Sequence, residues 1–127
     1  MPHLILEYSA NLESDLEIGA LLRDLHEAAA GCPTLERIAL RSRAVRRDHV
    51  VVADGNPEHR FAMVTARILK GRADDVKQEI ADTLFATLKA GLEQATTGKG
   101  LALAVDVVEI ELSTFRKDHN LAERIRP

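Results

Sequence analysis

The chain opens Met1-Pro2-His3-Leu4-Ile5-Leu6-Glu7-Tyr8. Its Leu-Ile-Leu run reads as a strand over residues 3–8. Pro2 directly follows the initiator methionine. With Met1 removed, the Pro2 ring nitrogen becomes a free secondary amine. Inside a chain the same nitrogen is a tertiary amide that takes no proton. A terminal proline is therefore a rigid amine at the head of a strand, a candidate general base.

Outward from this strand, Ser14-Asp15-Leu16-Glu17 has the spacing of a capping box, with Ser14 at the cap and Glu17 reaching back. Ile18, Leu21, Leu22, Leu25 and Ala28 or Ala29 then form the stripe of an amphipathic helix, ended by Gly31 and Pro33. Residues 37–46 alternate. Ile38, Leu40, Ser42 and Ala44 fall on one side and Ala39, Arg41, Arg43 and Val45 on the other, which predicts a strand with one arginine-bearing face. His49 to Ala53 predicts a second short strand, and Asp54-Gly55-Asn56-Pro57 a turn.

The pattern then restarts. Phe61 to Leu69 is strand-like. Gly71 to Asp75 places two acids in the first turn of a helix. Val76, Ile80, Leu84, Leu88 and Leu92 recur every fourth residue with Ala81 and Phe85 beside them, a helix that Gly98 to Gly100 breaks. Leu101 to Leu112 reads as a long strand, and residues 113–127 as an irregular polar tail. The order is strand–helix–strand twice, with pseudo-repeats over about 1–58 and 59–127 of one domain. The predicted fold class is α+β: duplicated βαβ units forming a mixed sheet with two helices on one face, since both crossovers share a hand. Ile5, Val51, Met63, Ile68, Val105, Val107 and Ile110 fall on both sides of the pleat. A bare apolar sheet face is rarely left in water, so an oligomer that buries it is expected.

The bulk numbers agree with one soluble domain. The chain has 127 residues, 46% hydrophobic and 29% charged, with a net charge of −3. That charge argues for neither nucleic acid nor membrane as partner. The chain holds no Trp, one Tyr and three Phe, so base-stacking platforms are scarce. The single cysteine, Cys32, cannot form a disulfide within the chain and reads as an inert buried thiol. With no signal peptide and no apolar run of membrane-spanning length, a cytoplasmic setting is expected. The five histidines lack metal-ligand spacing. Gly98-Lys99-Gly100 lacks the upstream glycine and the following Ser or Thr of a phosphate loop.

Two basic features remain. Arg37, Arg41, Arg43, Arg46 and Arg47 form either a solvated edge or an anion-binding strand, since arginine grips carboxylates in bidentate fashion. Arg72 beside Gly71 stands where the helix dipole disfavours a cation. It either points away into water or joins the free backbone N–H groups in receiving an anion.

A terminal proline amine, arginines on a neighbouring strand and a doubled βαβ plan together resemble the tautomerase superfamily. Within it, the chain is most similar to the 5-carboxymethyl-2-hydroxymuconate isomerase family. The likeness lies in Met1 to Glu7, in Arg41-Ser42-Arg43, in Asp54-Gly55 with Phe61, in Gly71-Arg72 and in Phe115-Arg116-Lys117. Ala39-Leu40 departs from the glycine and isoleucine expected before the arginine.

The resemblance implies a tautomerase-like homotrimer with Pro2, Arg41 and Arg72 as catalytic residues. Arg43 joins Arg41 and Arg72 in substrate binding. No cofactor or metal is needed. The substrate is a small anion, an unsaturated 2-hydroxy di- or tricarboxylate from aromatic-ring degradation in the homoprotocatechuate pathway. Neutral Pro2 moves a proton from the 2-hydroxyl to a carbon further along the diene. Two rival readings are decarboxylation or dehalogenation by the same proline, and a non-catalytic oligomer that binds small acids.

Overall fold

In the computed structural model, which describes residues 1–125, four strands and two helices follow the doubled order. They are β1 (His3–Ser9), α1 (Ile18–Ala30), β2 (Arg41–Arg47), β3 (Arg60–Leu69), α2 (Asp74–Leu92) and β4 (Leu101–Ile110). The sheet runs β2-β1-β3-β4. β1 pairs parallel with β2, β3 pairs parallel with β4, and the two units meet through antiparallel β1 and β3. It is a mixed sheet built from two βαβ units.

Alternation along the strands divides the sheet into two faces. Leu4, Leu6 and Tyr8 of β1 and Ala62, Val64, Ala66 and Ile68 of β3 point to one side and are buried. They pack against Leu21, Leu25 and Ala29 of α1 and Ile80, Leu84, Leu88 and Leu92 of α2. Both helices therefore cover one face, as the repeat predicts. The fourfold spacing in α2 places its leucines in a single column. Each such burial stabilises the fold by ~1.5–3 kcal/mol.

The opposite face carries His3, Ile5 and Glu7 of β1 and Arg41, Arg43 and Val45 of β2. In register beside them stand Phe61, Met63, Thr65 and Arg67 of β3, and Ala102, Ala104, Asp106 and Val108 of β4. Among the described residues no helix lies over it. Of the apolar residues expected on both sides, Ile5, Met63 and Ile110 fall on this open face, while Ile68, Val105 and Val107 fall on the helix side. Val51 belongs to neither, because it stands in a loop and is 85% exposed.

Several local expectations are corrected. Ser14 does not cap α1: its hydroxyl donates to the Asn11 carbonyl at 2.8 Å. Glu17 is itself the cap, and its carboxylate accepts from the N–H groups of Gly19 (3.1 Å) and Ala20 (2.7 Å). A carboxylate two bonds longer than a serine hydroxyl serves because Gly19 leaves room for it to fold back. The predicted strand over 37–46 begins only at Arg41, since Arg37–Ala39 forms a turn of helix.

His49 to Ala53 is not a strand. The edge strand β2 has already ended, and the chain turns with Ala53 at φ 52° and Gly55 at φ 83°. Here Gly55 N–H donates to the Val52 carbonyl at 2.9 Å. β4 stops at Ile110, two residues short of the expected end, and Leu112 instead begins a helical turn over Leu112–Thr114.

Candidate active site

Strand direction brings the site together. β1 and β2 are parallel, so Pro2, just before β1, and Arg41, the first residue of β2, lie at the same edge of the sheet. The Arg41 N–H donates to the Pro2 carbonyl at 3.0 Å. β3 runs antiparallel to β1, so it finishes at this edge: His3 faces Arg67. Leu69 is the last residue of β3, and the chain then turns through Gly71, at φ 123°, into Arg72. A positive φ of that size suits glycine alone. Three residues far apart in sequence thus meet because of one pairing pattern.

Pro2 is buried and Met1 half-buried. The Met1 amine is pushed down from 8.0 to about 6, first by burial and then by Lys117, Arg72 and Arg41. Burial and neighbouring cations both disfavour an ammonium. An amine at this end of β1 is thereby biased toward its neutral, basic form.

The arginines divide by partner. Arg37 pairs with Glu27, Arg46 with Glu13 and Asp48, Arg47 with Glu7, and Arg60 with Asp15. Those guanidiniums have structural counter-charges. Arg41 and Arg72 donate only to neutral oxygens. Arg41 Nη1 reaches the Ile38 carbonyl (3.0 Å) and the Leu40 carbonyl (3.1 Å). Arg72 Nε donates to Thr34 Oγ1 (2.6 Å), Nη2 to the Thr34 carbonyl (2.9 Å) and Nη1 to the Leu69 carbonyl (3.1 Å). Among the described residues neither has a carboxylate partner, so both hold uncompensated positive charge beside the amine.

Arg43, grouped with them in the sequence reading, lies two residues further along β2 and turns to His3, with Nη1 3.0 Å from Nδ1. Burial, Arg43 and Arg67 hold the His3 imidazole below its usual range. The His3 ring meets Phe115 edge-on at 6.2 Å, which lays the tail across the head of β1. Lys117 and Thr34 were not singled out as site residues from the sequence. Each reaches the site through a loop or tail whose path no periodicity encodes.

The cavity before α1 is poorly matched to an anion. It measures about 550 Å³ and is lined by residues from Glu13 to Ile18, three of them acidic. Among the described residues no group of three or more His, Cys, Asp or Glu could hold a metal. No helix there is long and apolar enough to cross a membrane.

Comparison with known proteins places the whole chain in a family. A relative from Escherichia coli, 5-carboxymethyl-2-hydroxymuconate Delta-isomerase, is 25% identical over 121 residues, covering 95% of this chain and 96% of its own. The crystal structure of a 5-carboxymethyl-2-hydroxymuconate isomerase from Deinococcus radiodurans R1 superposes with a TM-score of 0.89 at 31% identity, covering 99% of this chain and 95% of that one. Fused 4-OT, in a wild-type form described as a symmetric trimer, superposes at 0.66 with 17% identity over 86% of this chain and 85% of its own, a likeness of fold alone. The family model of 5-carboxymethyl-2-hydroxymuconate isomerase matches residues 2–125. The chain belongs to the 5-carboxymethyl-2-hydroxymuconate isomerase family and is an isomerase.

Proposed function

We propose that the protein, once Met1 is removed, uses the Pro2 amine to shift a proton along an unsaturated 2-hydroxy di- or tricarboxylate such as 5-carboxymethyl-2-hydroxymuconate. The observation that carries this reading is the depressed amine at the head of β1 among Arg41, Arg72 and Lys117. Neutral Pro2 takes the proton of the 2-hydroxyl. Electrons move through the diene, and the protonated ring nitrogen returns the proton to a carbon further along. One base performs both transfers, and the product has the same atoms as the substrate.

Arg41 and Arg72 bind carboxylates and stabilise the charge that develops on the dienolate. The same cations keep the free amine from protonating near neutrality. Arg43 assists at the rim through His3. The exposed mixed face of the sheet supports a homo-oligomer, and the trimeric form of fused 4-OT makes a trimer the favoured assembly.

The test pairs mass spectrometry of the amino terminus with an ultraviolet ketonisation assay. Protein lacking Met1 is expected to turn over the substrate, and protein retaining Met1 to be inactive. Equal rates from the two forms remove Pro2 as the base. Assay of decarboxylation and dehalogenation substrates separates the rival proline chemistries.

A further inference from the structure

Thr34 lies in the loop between α1 and β2 with φ 69°, in the left-handed region that a β-branched residue avoids. Glycine would adopt this backbone without strain, yet threonine stands here. Its hydroxyl, which glycine lacks, accounts for the choice. Arg72 Nε–H donates to the Thr34 hydroxyl at 2.6 Å, and Nη2 donates to the Thr34 carbonyl at 2.9 Å. One residue therefore occupies the whole side edge of the guanidinium. The Leu69 carbonyl takes one Nη1 hydrogen at 3.1 Å.

A guanidinium has five N–H groups. Three are committed, which leaves one on Nη1 and one on Nη2. Those two N–H groups remain to donate to a substrate carboxylate. The three committed acceptors are uncharged, so the guanidinium keeps its full positive charge.

We propose that Thr34 is the positioning residue for Arg72. By filling the side edge of the guanidinium, it fixes which edge is offered to a substrate carboxylate. The proposal rests on the reading of Arg72 as a substrate-binding group. Thr34 belongs to the first βαβ unit and Arg72 to the second, so the strained loop of one half aims the anion contact of the other.

The experiment uses the Met1-free enzyme with 5-carboxymethyl-2-hydroxymuconate, steady-state kinetics and thermal melting. Thr34→Val keeps the branching and the carbonyl but removes the hydroxyl. It is expected to lower kcat/KM by about tenfold, mainly through KM. Thr34→Ser restores the hydroxyl and is expected to stay within about twofold of the parent. Thr34→Gly relieves the backbone, so its Tm is expected to hold or rise while kcat/KM still falls about tenfold.

Stability and activity moving apart is a result that a purely structural Thr34 cannot produce. In an Arg72→Met background, neither Thr34→Val nor Thr34→Gly is expected to lower activity further. Full kcat/KM in Thr34→Gly, or an undiminished Thr34→Val loss in the Arg72→Met background, overturns the proposal. Wild-type kcat/KM in Arg72→Met alone instead overturns the reading of Arg72 on which the proposal stands.

Discussion

Asp15 and Arg60 form an ion pair at 2.8 Å with side chains only 2% and 5% exposed. Asp15 precedes α1 and Arg60 begins β3, so the pair ties the first βαβ unit to the second. Lys99, just before β4, reaches the same carboxylate at 2.6 Å. Burial alone would raise the Asp15 pKa, but the Arg60 hydrogen bond, helped by Lys99, holds it below 3.8.

Asp15→Asn is expected to destabilise the protein by ~3 kcal/mol, because it removes the buried counter-charge of Arg60 and leaves only the exposed Glu58 carboxylate at 3.4 Å. Urea unfolding at neutral pH measures this. The pH dependence follows from the sign of the shift. A depressed carboxylate contributes stability that is complete above 3.8 and lost as pH falls through its folded value. The wild type should therefore lose stability on acidification below pH 3.8 more steeply than Asp15→Asn does. Identical acid limbs in the two proteins would show that Asp15 is not held ionised by the fold.

Helix capping gives a second test. Glu17 accepts two backbone hydrogens at the start of α1, whereas the Ser14 hydroxyl bonds back to Asn11. Glu17→Ala is expected to cost ~0.5–2 kcal/mol, in the range of a lost N-cap. Ser14→Ala should stay within about 0.5 kcal/mol of wild type. The opposite ranking in chemical denaturation would reinstate the capping box.

These contrasts mark where the amino-acid sequence was legible. The fourfold leucine column of α2 and the alternation of β1 and β3 are periodic, and period alone assigns element type and buried face. The family likeness named Pro2, Arg41 and Arg72 without giving a reason for their convergence. Its physical cause is strand direction, which appears only once β1 pairs parallel with β2 and antiparallel with β3. The capping box failed because Ser-x-x-Glu names a spacing, and the turn at Ala10–Ser14 placed the helix start three residues later. The 49–53 strand failed because a valine run without a pairing partner has nowhere to hydrogen-bond. Lys117 and Thr34 reach the site along irregular segments with no repeating signal.

The open sheet face supplies a third test. Ala104 of β4 lies beside Met63 of β3 on that face and is partly exposed in the single chain. Ala104→Arg leaves the helix-side core untouched, so the isolated fold should keep its circular dichroism. If copies pack through this face, the added charge is expected to shift the sedimentation coefficient from oligomer to monomer. Activity should fall with it where a neighbouring copy completes the pocket. An unchanged sedimentation coefficient would place the interface elsewhere.

The amino-terminal amine supplies the last and sharpest pH prediction. At the head of β1, burial, Lys117, Arg72 and Arg41 lower the Met1 amine from 8.0 to about 6. Each cause penalises the charged form, so the neutral amine is favoured once pH exceeds the lowered value. A Pro2 amine freed in the same surroundings acts as a base only when unprotonated. The plot of kcat/KM against pH for the processed enzyme is therefore expected to rise with pH and to level off below the point where an unperturbed terminal amine would still be mostly charged. Lys117→Met and Arg72→Met each remove a cation that opposes the ammonium, so each should move that rising limb to higher pH. The Lys117 shift is expected to be the larger, because Lys117 exerts the stronger charge effect on the amine. Rate profiles at several pH values, with an independent titration of the amine by an acylating reagent, measure both quantities. A limb that stays fixed in both variants would separate the catalytic base from these cations.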